Sequence, residues 1–171
     1  NRGDERYNAD WITSKEKELW KLRLSEKGLT HLKKSEGWRN APYFDSAGIP
    51  TIGYGFTYYP NGRRVKITDE PITLSEGEDM LKIIIRPFEQ WVSKLVTSRL
   101  SQHQFDALVS FCYNVGQGNF SESTLLKKVN ENPNDNTIQD EFKRWVYAGG
   151  KKSKGLKKRR NKEAYLYQNG Y

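Results

Sequence analysis

The sequence predicts an α+β fold, mainly helical with a small antiparallel β-sheet lobe. Three observations carry that prediction. "YFDSAGIPTIGYGFTYYPNGRRVKI", Tyr43 to Ile67, is dense in aromatic and β-branched residues and punctuated by Gly48, Pro50 and Asn61-Gly62, a pattern of short strands joined by turns. Most of the remaining chain carries apolar residues at helical spacing. No internal repeat is present, and no glycine pattern of a dinucleotide or phosphate loop.

Taken in order, residues 1 to about 12 lack any period and read as an arm. "TSKEKELWKLRLS" follows as a first helix with Thr13 and Glu16 spaced as a capping box. Residues 1–26 are thus expected to form an N-terminal arm and an extra helix. "SEKGLTHLKKSEG" sets Leu29, Leu32 and Lys33 at helical spacing and stops at Gly37. Strands are expected at 43–45, 51–58 and 63–67, the last two joined by the Asn-Gly hairpin signal.

"TLSEGEDMLKIIIRPFEQWVSKLV" is helical, with Pro87 marking a break or kink near Arg86. "SQHQFDALVSFCYNVG" opens on a Ser101/Gln104 capping box, buries Phe105, Leu108, Val109 and Cys112, and ends at Gly116. "SESTLLKKVN" reads as a helix, as does "NTIQDEFKRWVYAGG" with Ile138, Phe142, Trp145 and Val146 as its buried stripe. A basic last helix is expected over Leu156 to Leu166.

Composition narrows the function. The chain has 171 residues, enough for one domain or two small lobes sharing a helix. Its longest apolar run, "MLKIIIRPF", is cut by charge and proline, so no transmembrane segment is expected. The single cysteine, Cys112, permits no internal disulfide and reads as a small buried apolar residue. His31 and His103 stand apart, so neither a metal site nor any cofactor is expected. The chain opens at Asn1 without an initiator methionine or an apolar targeting core, which reads as a mature or trimmed form with no visible export route. A net charge of +8 favours polyanionic partners: nucleic acid, an anionic membrane or an acidic wall polymer.

The chemistry concentrates in "SEGWRNAPYFDSAGIPTIGYG". Glu36 ends a helix, and Asp45 and Thr51 lie on the hairpin that follows. A glycosidase needs two such carboxylates, one protonated to donate to the leaving oxygen, the other ionised to activate water or support oxocarbenium character. Glu36, flanked by Gly37 and Trp38, suits the first role; Asp45 on a wet hairpin suits the second, with Thr51 holding the water. From spacing alone, the default reading of Asp45 is a turn former bonded to its own backbone, with catalysis the alternative.

The same stretch resembles the active-site segment of the phage-type lysozymes, or endolysins, of glycoside hydrolase family 24. Their pattern is Glu-Gly, then Tyr-x-Asp, then Thr-Ile-Gly-x-Gly. "QFDALVSFCYNVG", "STLLKKVN", Trp145 and "GLKKRRNKEAYL" extend the likeness to the lambdoid branch over roughly residues 27–170. The resemblance implies a lysozyme-like catalytic domain over 27–171, with a cleft between two lobes and Glu36, Asp45 and Thr51 as catalytic residues. It implies hydrolysis of the β-1,4 bond between N-acetylmuramic acid and N-acetylglucosamine of bacterial peptidoglycan. An inverting outcome is implied, for which the carboxyl groups stand about 6.5–9.5 Å apart.

Asn114 and Tyr54 are implied as substrate-binding residues, with Gly116 ending its helix to admit sugar; Asn114 and Gly116 read equally well as a plain helix C-cap. Arg159 and Arg160 are candidate ion-pair partners of the acid, against the plainer reading of a solvated basic face. Tyr43, Tyr54, Trp38 and Trp145 are sugar-stacking candidates, most of them expected to be core. Phe56 stands where many members carry a histidine, and "TYYPNGRRVKI" lengthens the sheet lobe. The expected protein is a monomer acting on the cell wall, in the periplasm or outside the cell, without a nucleic-acid partner. The alternatives are a lytic transglycosylase on the same bond, or a basic wall- or nucleic-acid-binding module without catalysis, which "KKSKGLKKRRNK" brings to mind.

Overall fold

The computed structural model describes residues 22–171. The elements are α1 (Glu26–Glu36), β1 (Arg39–Phe44), β2 (Pro50–Gly53), α2 (Leu74–Leu95), α3 (Gln102–Val115), α4 (Gln117–Glu122), α5 (Thr124–Glu131), α6 (Ile138–Lys143), β3 (Tyr147–Ala148), β4 (Lys151–Lys152) and α7 (Lys154–Asn169). They divide into two units: Leu29–Pro87, and the described residues through Gly28 together with Phe88–Tyr171. The expected helix with its Thr13/Glu16 cap lies almost wholly outside the described residues.

In the unit Leu29–Pro87, α1 leads into the antiparallel hairpin β1–β2. Tyr43 pairs with Thr51 and Phe44 with Pro50, and the register slips between Arg39 and Tyr43. Leu32, Ile52 and Leu81 are fully buried, with Phe56, Ile85 and Val65 beside them. The Trp38 ring lies so close to Gly77 of α2 that a Cβ there would stand 2.2 Å from it. Lys33 Nζ reaches Glu78 Oε1 at 2.7 Å and holds that carboxyl below its ordinary pKa. Lys33 thus ties α1, and Trp38 the segment just after it, to α2.

The Asn61-Gly62 turn forms as expected, with Tyr59 N–H donating to Arg63 O at 2.9 Å. It makes only an isolated bridge, Tyr58 with Arg64, rather than the two strands anticipated. β1 starts earlier than anticipated, at Arg39. α2 runs unbroken through Pro87. The carbonyl that loses its donor belongs to Ile83, which is exposed to solvent, so the proline removes one bond without ending the helix.

The other unit is helical. Ser101 caps α3 in the expected box with Gln104. α3 and α7 carry much of its core, where Phe111 meets Phe120, Phe142 and Trp145 edge-on, at ring separations of 5.4–6.2 Å. Cys112 is buried, and desolvation pushes its thiol up to about 12. Ser25 caps α1 by accepting from Gly28 N–H and also bonds the buried Asp106, as do Gln102 and Tyr171.

Two boundaries differ from expectation. The helix anticipated over "SESTLLKKVN" splits at Ser123, whose hydroxyl caps α5 through Leu126 N–H. The helix anticipated through Val146 stops at Lys143. Gly149 and Gly150 instead turn a short hairpin, β3 with β4, so Trp145 and Val146 lie beyond the helix and are half-buried.

Candidate active site

Glu36, Asp45 and Thr51 all fall within the unit Leu29–Pro87. Glu36 is the last residue of α1 and half-buried. Its carboxylate lies over Gly55, where a Cβ would stand 2.8 Å from Oε2. The backbone at Gly55 has φ +78°, a conformation that L side chains rarely adopt. Reciprocal backbone bonds between Ile52 and Phe56, 2.9 and 2.8 Å, close the Gly53-Tyr54-Gly55 loop and bring that bare Cα against the acid. This explains the second glycine of "GYG".

Gly55→Ala should therefore cost about 1–2 kcal/mol in backbone conformation. It should also displace the Glu36 carboxylate, and a misplacement of about 1 Å costs on the order of 10²-fold in rate. Urea denaturation and muropeptide release measure the two effects separately.

On the hairpin, Tyr43 and Thr51 are direct cross-strand partners and share a face. Asp45 stands just past the end of β1 and opens the turn, its N–H donating to Ile49 O at 3.0 Å. Asp45 Oδ1 accepts from Ala47 N–H at 2.8 Å and Ile49 N–H at 2.9 Å, so the turn-forming reading of this residue holds. Oδ2 accepts no protein hydrogen bond among the described residues.

Thr51 is 3% exposed and donates its hydroxyl hydrogen to Ile49 O at 2.8 Å. One peptide residue, Ile49, thus anchors both side chains: its amide holds Asp45 and its carbonyl consumes the Thr51 proton. What remains on each is acceptor capacity. Tyr43 lies in the field of the same groups. Burial raises its hydroxyl pKa, Arg39 opposes the rise, and Glu36 and Asp45 add to it.

The other anticipated residues divide. Tyr54 is 5% exposed, its ring packed on Trp38 at 4.9 Å and on Phe56 at 6.3 Å. It is a core residue of the loop wall and offers no open ring face to a sugar. Phe56, in the place of the family histidine, is buried in this packing. Asn114 sits exposed in the last turn of α3 with its amide oxygen held by the Arg160 guanidinium. Gly116, not Asn114, caps that helix, through its N–H to Cys112 O.

Arg159 and Arg160 are buried, which overturns the solvated-face reading for both. Arg159 Nε donates to Glu163 Oε1 at 3.0 Å and Arg160 donates to Glu163 Oε2. Sequence reasoning missed Glu163, although its spacing of three and four residues from the two arginines on a helix is an ion-pair signal. It also left Arg39 without a role. Among the described residues there is no group of three or more His, Cys, Asp or Glu side chains placed to hold a metal ion. No described helix is long and apolar enough to cross a membrane.

Comparison with known proteins shows the family. The family model described as phage lysozyme matches residues 33–163. The endolysin of Salmonella phage P22 is 37% identical over 143 residues, which cover 84% of this chain and 97% of the relative. The solved endolysin from Escherichia coli O157:H7 phage FAHEc1 superimposes with a TM-score of 0.81 at 37% identity, covering 88% of this chain and 96% of that one. A muramidase domain from Asticaccaulis excentricus gives 0.73 at 31% identity, covering 85% and 97%. The chain belongs to the phage lysozyme family, and it is a lysozyme, a hydrolase of cell-wall peptidoglycan.

Proposed function

We propose that this lysozyme is an N-acetylmuramidase that cleaves the β-1,4 bond between N-acetylmuramic acid and N-acetylglucosamine with inversion, using Glu36, Asp45 and Thr51. Glu36 donates its proton to the glycosidic oxygen as the bond to C1 breaks. A water held by Asp45 Oδ2 and Thr51 Oγ1 attacks C1 from the opposite face, and Asp45 takes its proton.

The observation that carries this reading is the shared anchor at Ile49. With its own hydrogen already donated to Ile49 O, the Thr51 oxygen meets water as an acceptor, and Asp45 Oδ2 is an acceptor as well. A water donating one hydrogen to each has a lone pair left for the sugar. That arrangement suits hydrolysis better than transglycosylation, in which a hydroxyl of the muramic acid itself attacks and no water is held. A binding module without catalysis would not need the pair.

Proton NMR of the first product formed should show inversion at C1. Thr51→Ala, which loses one of the two acceptors, should lower kcat by about 10²-fold with KM little changed. A retained anomer, or full activity in Thr51→Ala, would overturn the water assignment.

The same reading has the enzyme act as a monomer, in the periplasm or outside the cell. It expects no nucleic-acid partner, and in support of that Arg159 and Arg160, from the basic run in α7, are turned inward onto Glu163. Residues 27–171 are taken as the catalytic domain.

A further inference from the structure

Arg39 opens β1 directly after the acid's helix, and its side chain is exposed. Its guanidinium carbon lies 4.3 Å from the centre of the Tyr43 ring. In a straight strand four residues span about 13 Å, too far for such a stack. The slipped register between Arg39 and Tyr43 shortens this path. Irregularities of this kind next to active sites re-aim a side chain, and here the slip folds Arg39 back over the ring whose hydroxyl feels both Glu36 and Asp45. Arg39 makes no ion pair and no side-chain hydrogen bond among the described residues. Arg63, on the same unit, differs: it too stacks on a tyrosine, but Asp69 neutralises it at 3.2 Å.

We infer that Arg39, held on the Tyr43 ring, is a specificity residue that binds a carboxylate of the peptide stem of peptidoglycan beside the scissile bond. The inference rests on the muramidase reading above. The glycan itself is neutral wherever its lactyl groups carry peptide, so the stems bring the anionic groups to this face. A planar guanidinium with its donors unspent matches a carboxylate in two-point geometry. Stacking on Tyr43 removes much of the ordering cost that an exposed arginine otherwise meets on binding.

The test uses purified peptidoglycan stripped of other wall polymers, in three forms: stem carboxylates free, the glutamate carboxylate amidated, and the diamino acid carboxylate amidated. The wild-type protein should cleave the free form with kcat/KM about tenfold above one of the amidated forms, which identifies the carboxylate that is read. The difference should lie in KM. Arg39→Gln should bring that ratio close to one, and Arg39→Lys should restore part of it.

A wild-type ratio of one, or a ratio that Arg39→Gln leaves intact, overturns the inference. So does an equal fall in rate on all three substrates, which would make Arg39 an electrostatic support for the catalytic carboxylates. If the wild-type protein releases no muropeptide from any form, the muramidase reading fails instead.

Discussion

Glu163→Gln is expected to cost about 3–5 kcal/mol of stability, the range for removing the charge of one partner in a buried ion pair. Glu163 is 0% exposed, Arg160 1% and Arg159 8%. One carboxylate serves both guanidiniums and also accepts from Ser110 Oγ at 2.8 Å. Glutamine preserves the shape and one acceptor oxygen but removes the Glu163 charge that both buried guanidiniums face. Arg160 makes further bonds, to Trp145 O at 3.0 Å and to Asn114, and its guanidinium lies over the Phe111 ring. The loss should therefore spread from α7 to the end of α3. Chemical denaturation should show a lower midpoint with an unchanged slope, and the melting temperature should fall by roughly 10 °C. A change below about 1 kcal/mol would mean that the cluster is not a stabilising centre of this unit.

Glu36→Gln should lower kcat by about 10²- to 10⁴-fold, the range for loss of a general acid, with little change in stability. Glutamine keeps the size of the side chain above Gly55 but has no proton of suitable acidity to give to a leaving alkoxide. Binding contacts to the sugars are not removed, so KM should change little and the loss should appear in kcat. The conformation at the end of α1 is set by Lys33 on Glu78 and by Trp38 against Gly77 and Tyr54. Kinetics on soluble glycan fragments and a melting curve on the same preparation separate the two expectations. Equal losses in rate and stability would indicate that Glu36 supports the fold rather than the reaction.

The candidate site was read from the resemblance, since spacing alone left Asp45 between two roles, but its local frame was legible: Gly37 stops α1 and the turn residues between Ser46 and Pro50 fold the hairpin that carries Asp45 and Thr51. What was not legible depends on tertiary partners. Nothing local says that Tyr54 turns into the core, since an aromatic between two glycines suits a sugar platform equally well; Trp38 and Phe56 decide it.

Arg159 and Arg160 looked like part of a solvated basic run because charge counting ignores direction. The helix turns them toward Glu163 while Lys157, Lys158 and Lys162 stay exposed. The helix over-extended through Val146 reflects a stripe of apolar residues that continues at helical spacing into a hairpin. There Gly149-Gly150 was a turn signal outweighed by the periodicity. At Pro87 the break did not form, because a single lost hydrogen bond on a solvent-facing turn does not end a 22-residue helix.

The most direct test of the central claim is mass spectrometry of the products that the wild-type and Glu36→Gln proteins release from purified peptidoglycan. Wild-type digests should contain muropeptides ending in reducing-end N-acetylmuramic acid, the product of water attack, and Glu36→Gln digests should contain almost none. Products ending in anhydro-muramic acid, or undiminished release by Glu36→Gln, would contradict a hydrolysis run by Glu36 and the water held at Asp45 and Thr51.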